Sequence, residues 1–170
     1  MEAFAASVQE RAAVDPDVRL QHALDLAFRY LGRRDRTVLE MRRYLEGKRV
    51  EPSAIDEALA HLGRERYLDD ARFARQFAED KRLLDEWGAD RIERRLLTLG
   101  VAPRLVREAV EVRDRGGEID AARALLQRRF PALGDDPGER QRAFGVLARK
   151  GYDPELAWDA IRAHGGSDEG

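Results

Sequence analysis

The sequence contains no cysteine, which excludes disulfides, thiol catalysis and thiolate metal sites, and fits a reducing compartment. Its three histidines, His22, His61 and His164, are scattered and form no short-spaced metal pair. Aromatic residues make up 7% and β-branched strand formers are sparse, whereas Ala, Leu, Arg and Glu abound. That balance favours helix throughout. No apolar run approaches the roughly 20 residues that span a bilayer, and Met1-Glu2-Ala3-Phe4 lacks a basic-then-apolar leader. A soluble, cytoplasmic protein with no membrane partner is expected. The net charge of −2 supplies no global field to recruit nucleic acid. Ser7, Ser53 and Ser167 have no nearby histidine or elbow glycines, and no glycine-rich phosphate loop occurs. Hence no catalytic residue, metal or cofactor is assigned, and the chain does not read as an enzyme.

What is present is a succession of one-faced helices. Positions 1–19 read as an Ala-rich extension, a frayed helix with a break at Asp15-Pro16. From Leu20, apolar Leu24, Ala27, Phe28 and Leu31 keep the i, i+3, i+4, i+7 pattern. Thr37 and Glu40 have capping-box spacing at the start of a second helix through Met41 and Leu45. Pro52 suits the first position of a third, with Ile55, Ala58, Leu59 and Leu62 inward. The stretch from Leu68 to Ala78 opens the next helix. Asp69 or Asp70 can cap it, with Phe73, Ala74, Phe77 and Ala78 on one stripe. An acid–base or metal role for the two aspartates is conceivable, but capping explains them without further assumption.

A helix with Ile92, Leu96 and Leu99 then stops at Gly100, and another starts at Pro103 with Val106, Ala109 and Val110. After Gly116-Gly117 the plan restarts from about Glu118 with Ala122, Leu125 and Leu126. A helix with Phe144, Leu147 and Ala148 follows, and the last begins at Pro154 with Ala157, Ala160 and Ile161. Positions 165–170 read as a disordered tail.

The plan repeats at a fixed interval. Pro52, Pro103 and Pro154 lie 51 residues apart, as do Leu45, Leu96 and Leu147, and Ala58, Ala109 and Ala160. Several columns in register define an internal repeat. The expected fold is all-α: three tandem three-helix repeats at 20–67, 68–115 and 116–164, stacked into an elongated, curved array.

Charge is segregated along the chain. Between Arg29 and Arg49, eight basic residues, including Arg33, Arg34, Arg42 and Arg43, face only Asp35, Glu40 and Glu46. Arg91, Arg94 and Arg95 form a second run. Such runs are solvated helix faces laced by local pairs, or basic strips for phosphates or an acidic protein surface. The sharp turn before each repeat's last helix invites comparison with helix-turn-helix modules. Arg104 and Arg107 would be the only basic residues in the first turns of that helix in the middle repeat, too few for base-specific reading.

Three segments resemble the RecX family, bacterial regulators of the RecA recombinase. Arg34-Asp35-Arg36-Thr37-Val38-Leu39-Glu40-Met41 is similar to that family's Arg-x-x-Ser-x-x-Glu-Leu, with Thr37 and Met41 conservative replacements. Leu68-Asp69-Asp70-Ala71-Arg72-Phe73-Ala74 resembles its Asp-Asp-x-Arg-Phe-Ala motif, followed by Gly88, Ile92, Leu96 and Gly100 at similar spacing. Arg149-Lys150-Gly151-Tyr152 resembles its basic-Gly-aromatic turn. The absence of long heptads points to a monomer, and the resemblance implies a non-catalytic regulator in DNA repair, homologous recombination and the SOS response. It would bind RecA filaments on single-stranded DNA and limit filament growth, ATP hydrolysis and strand exchange; the near-neutral charge departs from a strongly DNA-binding family member and leaves at most weak direct DNA contact. A helical-repeat DNA-binding module, or an adaptor for an unrelated protein, are the alternatives. Arg33, Arg34, Arg42, Arg43, Arg91, Arg94 and Arg95 are the candidate partner contacts. Thr37, Glu40, Asp69, Asp70, Phe73, Gly88, Leu96, Pro103 and Pro154 are the structural motif residues.

Overall fold

A helix starts where a side chain can satisfy its free N–H groups or a proline removes one of them. The computed structural model describes residues 15–165, and all the regular structure among them is helical. In chain order the helices are α1 (Pro16–Leu31), α2 (Val38–Gly47), α3 (Pro52–Arg64), α4 (Asp70–Asp85), α5 (Ala89–Thr98), α6 (Pro103–Val110), α7 (Arg115–Arg129), α8 (Pro137–Lys150) and α9 (Pro154–Gly165). They form three three-helix repeats. By compactness the chain divides within α4, into residues 1–73 and 74–170.

In the first unit Thr37 caps α2 through a complete capping box. Its hydroxyl accepts from Glu40 N–H at 3.1 Å, and the Glu40 carboxylate accepts from Thr37 N–H at 3.1 Å. The core is Ala23, Leu24 and Ala27 from α1, Met41 and Leu45 from α2, and Ala54, Ile55, Ala58, Leu59 and Leu62 from α3. Phe28, expected on the inward stripe, is 40% exposed and lies edge-on to Tyr67 with ring centroids 5.0 Å apart. The first helix begins at Pro16, ahead of Leu20, because Asp15 accepts from Asp17 N–H at 3.1 Å and caps it. The frayed helix expected before it, and all of the tail beyond Gly165, lie outside the described residues.

The two aspartates that open α4 divide the work. Asp69 is the cap, accepting from Arg72 N–H at 2.9 Å. Asp70 instead accepts from Val38 N–H at 2.9 Å, tying the first turn of α4 to the start of α2. The bond from Arg72 N–H holds the Asp69 carboxyl below its usual range. Burial, with Asp69 and Glu40 nearby, pushes that of Asp70 above.

In the second unit Ala74 and Ala78 of α4, Ile92 and Leu96 of α5, and Val106 and Ala109 of α6 are buried. The third repeat buries Ala122, Leu125 and Leu126 of α7 with Ala143 and Leu147 of α8 and Leu156, Ala157, Ala160 and Ile161 of α9. Ala148, expected inward, is exposed and Ala143 takes its place. Gly116 and Gly117 do not separate the repeats. They sit in the first turn of α7, which starts at Arg115 because Asp114 accepts from Gly117 N–H at 2.8 Å.

The turn between the second and third helices is the same in every repeat. Arg49, Gly100 and Gly151 have φ of 60°, 83° and 87°. The next residue's N–H reaches back five positions: Val50 to Leu45 at 3.2 Å, Val101 to Leu96 at 3.1 Å and Tyr152 to Leu147 at 3.1 Å. These are left-handed helix caps with the long back-bond of a Schellman turn. Proline then opens the third helix at Pro52, Pro103 and Pro154.

Gly151 carries a second constraint. Gly88 N–H donates to the Lys150 carbonyl at 2.9 Å and Asp90 N–H to that of Gly151 at 3.1 Å. The free N–H groups of α5 are thereby satisfied by the C-terminal carbonyls of α8, a favourable dipole arrangement. A Cβ on Gly88 would lie 2.5 Å from the Gly151 oxygen, and one on Gly151 would lie 2.2 Å from the Arg91 Cβ.

These turns and caps set the expected effects of four substitutions. Arg49→Gly relieves a left-handed side-chain residue and should stabilise by about 0.5–1 kcal/mol. Gly151→Ala should cost about 1–3 kcal/mol or more through overpacking, both read from urea midpoints. Asp69→Ala should cost about 1 kcal/mol as a lost cap. Asp70→Asn keeps an acceptor for Val38 N–H and should be neutral or stabilising at pH 7. The sign follows from linkage: an acid raised in the fold favours folding when protonated, and that stability is lost as pH rises from its ordinary value of 3.8 through its folded value. Melts of the Asn variant should lack that loss.

Candidate partner-binding surface

Whether an arginine can meet a partner depends on what it already touches. In the first unit the basic run is largely consumed internally. Arg34 pairs with Glu40 at 2.5 Å and donates to the Asp35 carbonyl at 2.9 Å. Arg42 on α2 reaches Asp56 on α3 at 2.8 Å. The Arg36 guanidinium lies 3.9 Å from the centroid of the Tyr30 ring, which stacks on Tyr44 at 4.0 Å, with Lys48 5.5 Å beyond. A tyrosine pair between two cations is a cation–π stack that fixes the α1–α2 turn. Arg33 and Arg43 remain exposed, with no hydrogen bond or ion pair among the described residues.

In the second unit Arg91, Arg94 and Arg95 lie at i, i+3 and i+4 on α5, on a stripe away from buried Ile92 and Leu96. Arg91 is committed. It donates to the Arg149 carbonyl at 2.8 Å and stacks 4.1 Å from the Trp87 ring, which Lys81 also approaches at 4.9 Å. Arg94 and Arg95 are exposed and form no ion pair among the described residues. Burial, then the neighbouring Asp153, pushes the Asp90 carboxyl up, and Arg94 opposes this. Arg104, on α6, pairs with Glu108 at 2.8 Å. The structure therefore separates the seven candidate arginines into three that are engaged (Arg34, Arg42, Arg91) and four that present free charge (Arg33, Arg43, Arg94, Arg95).

A second set of charges is buried, and the sequence run did not single it out. Glu118 of α7 is 5% exposed. It faces Arg82 of α4 at 3.7 Å and Arg113 at 3.5 Å, and accepts from Ala89 N–H at 3.3 Å. Arg82 also donates to the Val110 carbonyl at 2.6 Å, capping the end of α6. Burial, then the Glu118 charge, pushes the Tyr152 hydroxyl up to about 12. The only sequence signal was Glu118 falling i−4 to the core residue Ala122, a position where the pattern asks for an apolar side chain. Among the described residues there is no group of three or more His, Cys, Asp or Glu that could hold a metal ion. No helix there is long and apolar enough to cross a membrane.

Comparison with known proteins agrees with this architecture. Residues 23–62, 69–110 and 117–161 match, in chain order, the first, second and third three-helix domains of RecX. The regulatory protein RecX of Chromohalobacter salexigens is 37% identical over 137 residues, covering 81% of this chain and 89% of the relative. That of Trichlorobacter lovleyi is 35% identical over 136 residues, covering 76% and 87%. That of Deinococcus radiodurans is 36% identical over 139 residues, covering 82% of this chain and 66% of a longer protein. The crystal structure of RecX from Lactobacillus salivarius superimposes with a TM-score of 0.78 at 16% identity, covering 87% of this chain and 97% of that one. Three consecutive domain matches, with relatives of this identity along most of their length, show that the chain belongs to the RecX family of regulatory proteins.

Proposed function

We propose that this chain is a negative regulator of RecA that binds RecA filaments on single-stranded DNA and limits filament growth, ATP hydrolysis and strand exchange. It acts in the cytoplasm as a monomer. The family match across all three domains carries the reading. The distribution of free charge supports it. Arg33 and Arg43 in one unit, and Arg94 and Arg95 in the other, are exposed and form no ion pair among the described residues. Several weak contacts to successive protomers of a filament gain strength through effective concentration, without any one of them being strong. Arg34, Arg42 and Arg91 serve this surface by bracing it. Direct contact with DNA is weak, because the net charge of −2 gives no general attraction to phosphates.

The test is titration into RecA assembled on single-stranded DNA with ATP, following hydrolysis, beside binding to the bare oligonucleotide. Inhibition at amounts well below one per RecA, with weak binding to bare DNA, is the expected result. The triple reversal Arg43→Glu, Arg94→Glu, Arg95→Glu should weaken filament binding by roughly tenfold, mainly through slower association. No inhibition by the wild type, together with steeply salt-dependent binding to bare DNA, would instead identify a DNA-binding module.

A further inference from the structure

The middle repeat is closed differently from its neighbours. In the flanking repeats α1 packs directly on α3, and α7 on α9. Among the described residues no comparable packing joins α4 to α6; Arg82 spans that gap, donating to the Val110 carbonyl at 2.6 Å. The contacts that set α5 against the end of α4 come instead from the third repeat, and they converge on one corner, residues 85–91.

Three observations meet there. Glu86 has φ of 57°, a costly conformation for a residue with a Cβ. At the other left-handed side-chain residues the contacts are local: Arg49 sits in the turn closed by Val50 N–H on Leu45, and Arg66 pairs with Asp69. Glu86 instead pairs with Arg128 of α7 and, at 3.7 Å, with Lys150 of α8. Lys150 also holds both sides of the corner. Its ammonium donates to the Asp85 carbonyl at 2.7 Å, and its own carbonyl accepts from Gly88 N–H at 2.9 Å. Finally, the next donors of α5 are met from the same repeat: Ala89 N–H by Glu118 at 3.3 Å and Asp90 N–H by the Gly151 carbonyl at 3.1 Å. Gly88 is buried, and a Cβ there would lie 2.5 Å from the Gly151 oxygen. Opening the third repeat therefore takes away the partners of the first N–H groups of α5 and of the left-handed cap of α4.

We propose that this corner is a clasp through which the third repeat positions the α5 face carrying Arg94 and Arg95, so that repeats two and three open and close as one. Lys150 fastens it, and the missing side chain of Gly88 lets it close. The clasp lies wholly within residues 74–170. Its consequence for filament binding rests on the reading that the chain binds RecA filaments.

Hydrogen exchange of the full chain, resolved by peptide, reads the clasp without a partner. Ile161→Val thins the third-repeat core at a position of α9 outside the corner. It should speed exchange of the most protected α5 and α6 amides by the same factor as those of α8 and α9, with α2 and α3 as in the wild type. Unchanged α5 and α6 amides would mean that the repeats open independently, and would overturn the clasp. Gly88→Ala leaves the charge unaltered and lies out of reach of any partner. It should speed exchange of the α5 amides tenfold or more and weaken binding to RecA filaments on single-stranded DNA several-fold. Ile161→Val, assayed well below its melting temperature, should bind within twofold of the wild type. Should Gly88→Ala fail to fold, Lys150→Met removes only the ammonium and takes the same two readings. Exchange of α5 unchanged by these corner variants would overturn the clasp. Faster exchange with unchanged filament binding, or equal loss of binding in Ile161→Val, would overturn the positioning of the α5 face. A wild-type chain that does not bind filaments would overturn the functional reading, and the exchange rates alone then decide the clasp.

Discussion

Each repeat depends on one left-handed residue between its second and third helices. At Arg49, Gly100 and Gly151 the chain reverses hand for a single residue, and the long back-bond to Leu45, Leu96 or Leu147 closes the preceding helix. That closure aims the following proline-started helix back across the core. Leu45, Leu96 and Leu147 are each 0% exposed, so the residue that accepts the closing bond is also a centre of packing. The same turn tolerates arginine where nothing crowds it and demands glycine where another backbone approaches. Gly151 meets both demands, because the start of α5 rests against it.

That contact gives the second unit its internal order. The N–H groups of α5 are satisfied by α8 carbonyls and by Glu118, and Glu118 in turn faces Arg82 and Arg113. A buried carboxylate between two guanidinium groups is costly to desolvate and is weak evidence for net stability. Its effect is to fix geometry: Arg82 reaches across to the end of α6 and so sets the spacing of α4 and α6.

The basic faces show how a charge run becomes a surface. Eight cations over twenty-one residues look like one strip, yet the fold spends Arg34, Arg36 and Arg42 on Glu40, Tyr30 and Asp56. What is left is a few cations presented by braced neighbours. Fewer free charges with better-defined positions suit a shaped protein surface more than a uniform polyanion, for which density of charge matters most.

Much of the fold was legible in the chain itself. The capping box at Thr37, the prolines at 51-residue spacing, the cap at Asp69 and the inward stripe of α3 all rest on contacts within a few positions, where local sequence is the cause. The start of α7 was missed because two glycines suggest a break, whereas a capping aspartate just ahead of them outweighs their cost in a first turn. The site was less legible. Composition and periodicity located the arginines, but which of them are free depends on partners up to dozens of positions away, such as Asp56 for Arg42 and the Arg149 carbonyl for Arg91. Helix limits, repeat length and core stripes were decided by sequence, because they follow from hydrogen bonds and periodicity over a turn or two. The Gly88–Gly151 approach and the Glu118 cluster were decided only by tertiary structure, because each exists where distant segments meet and compete for the same space and charge.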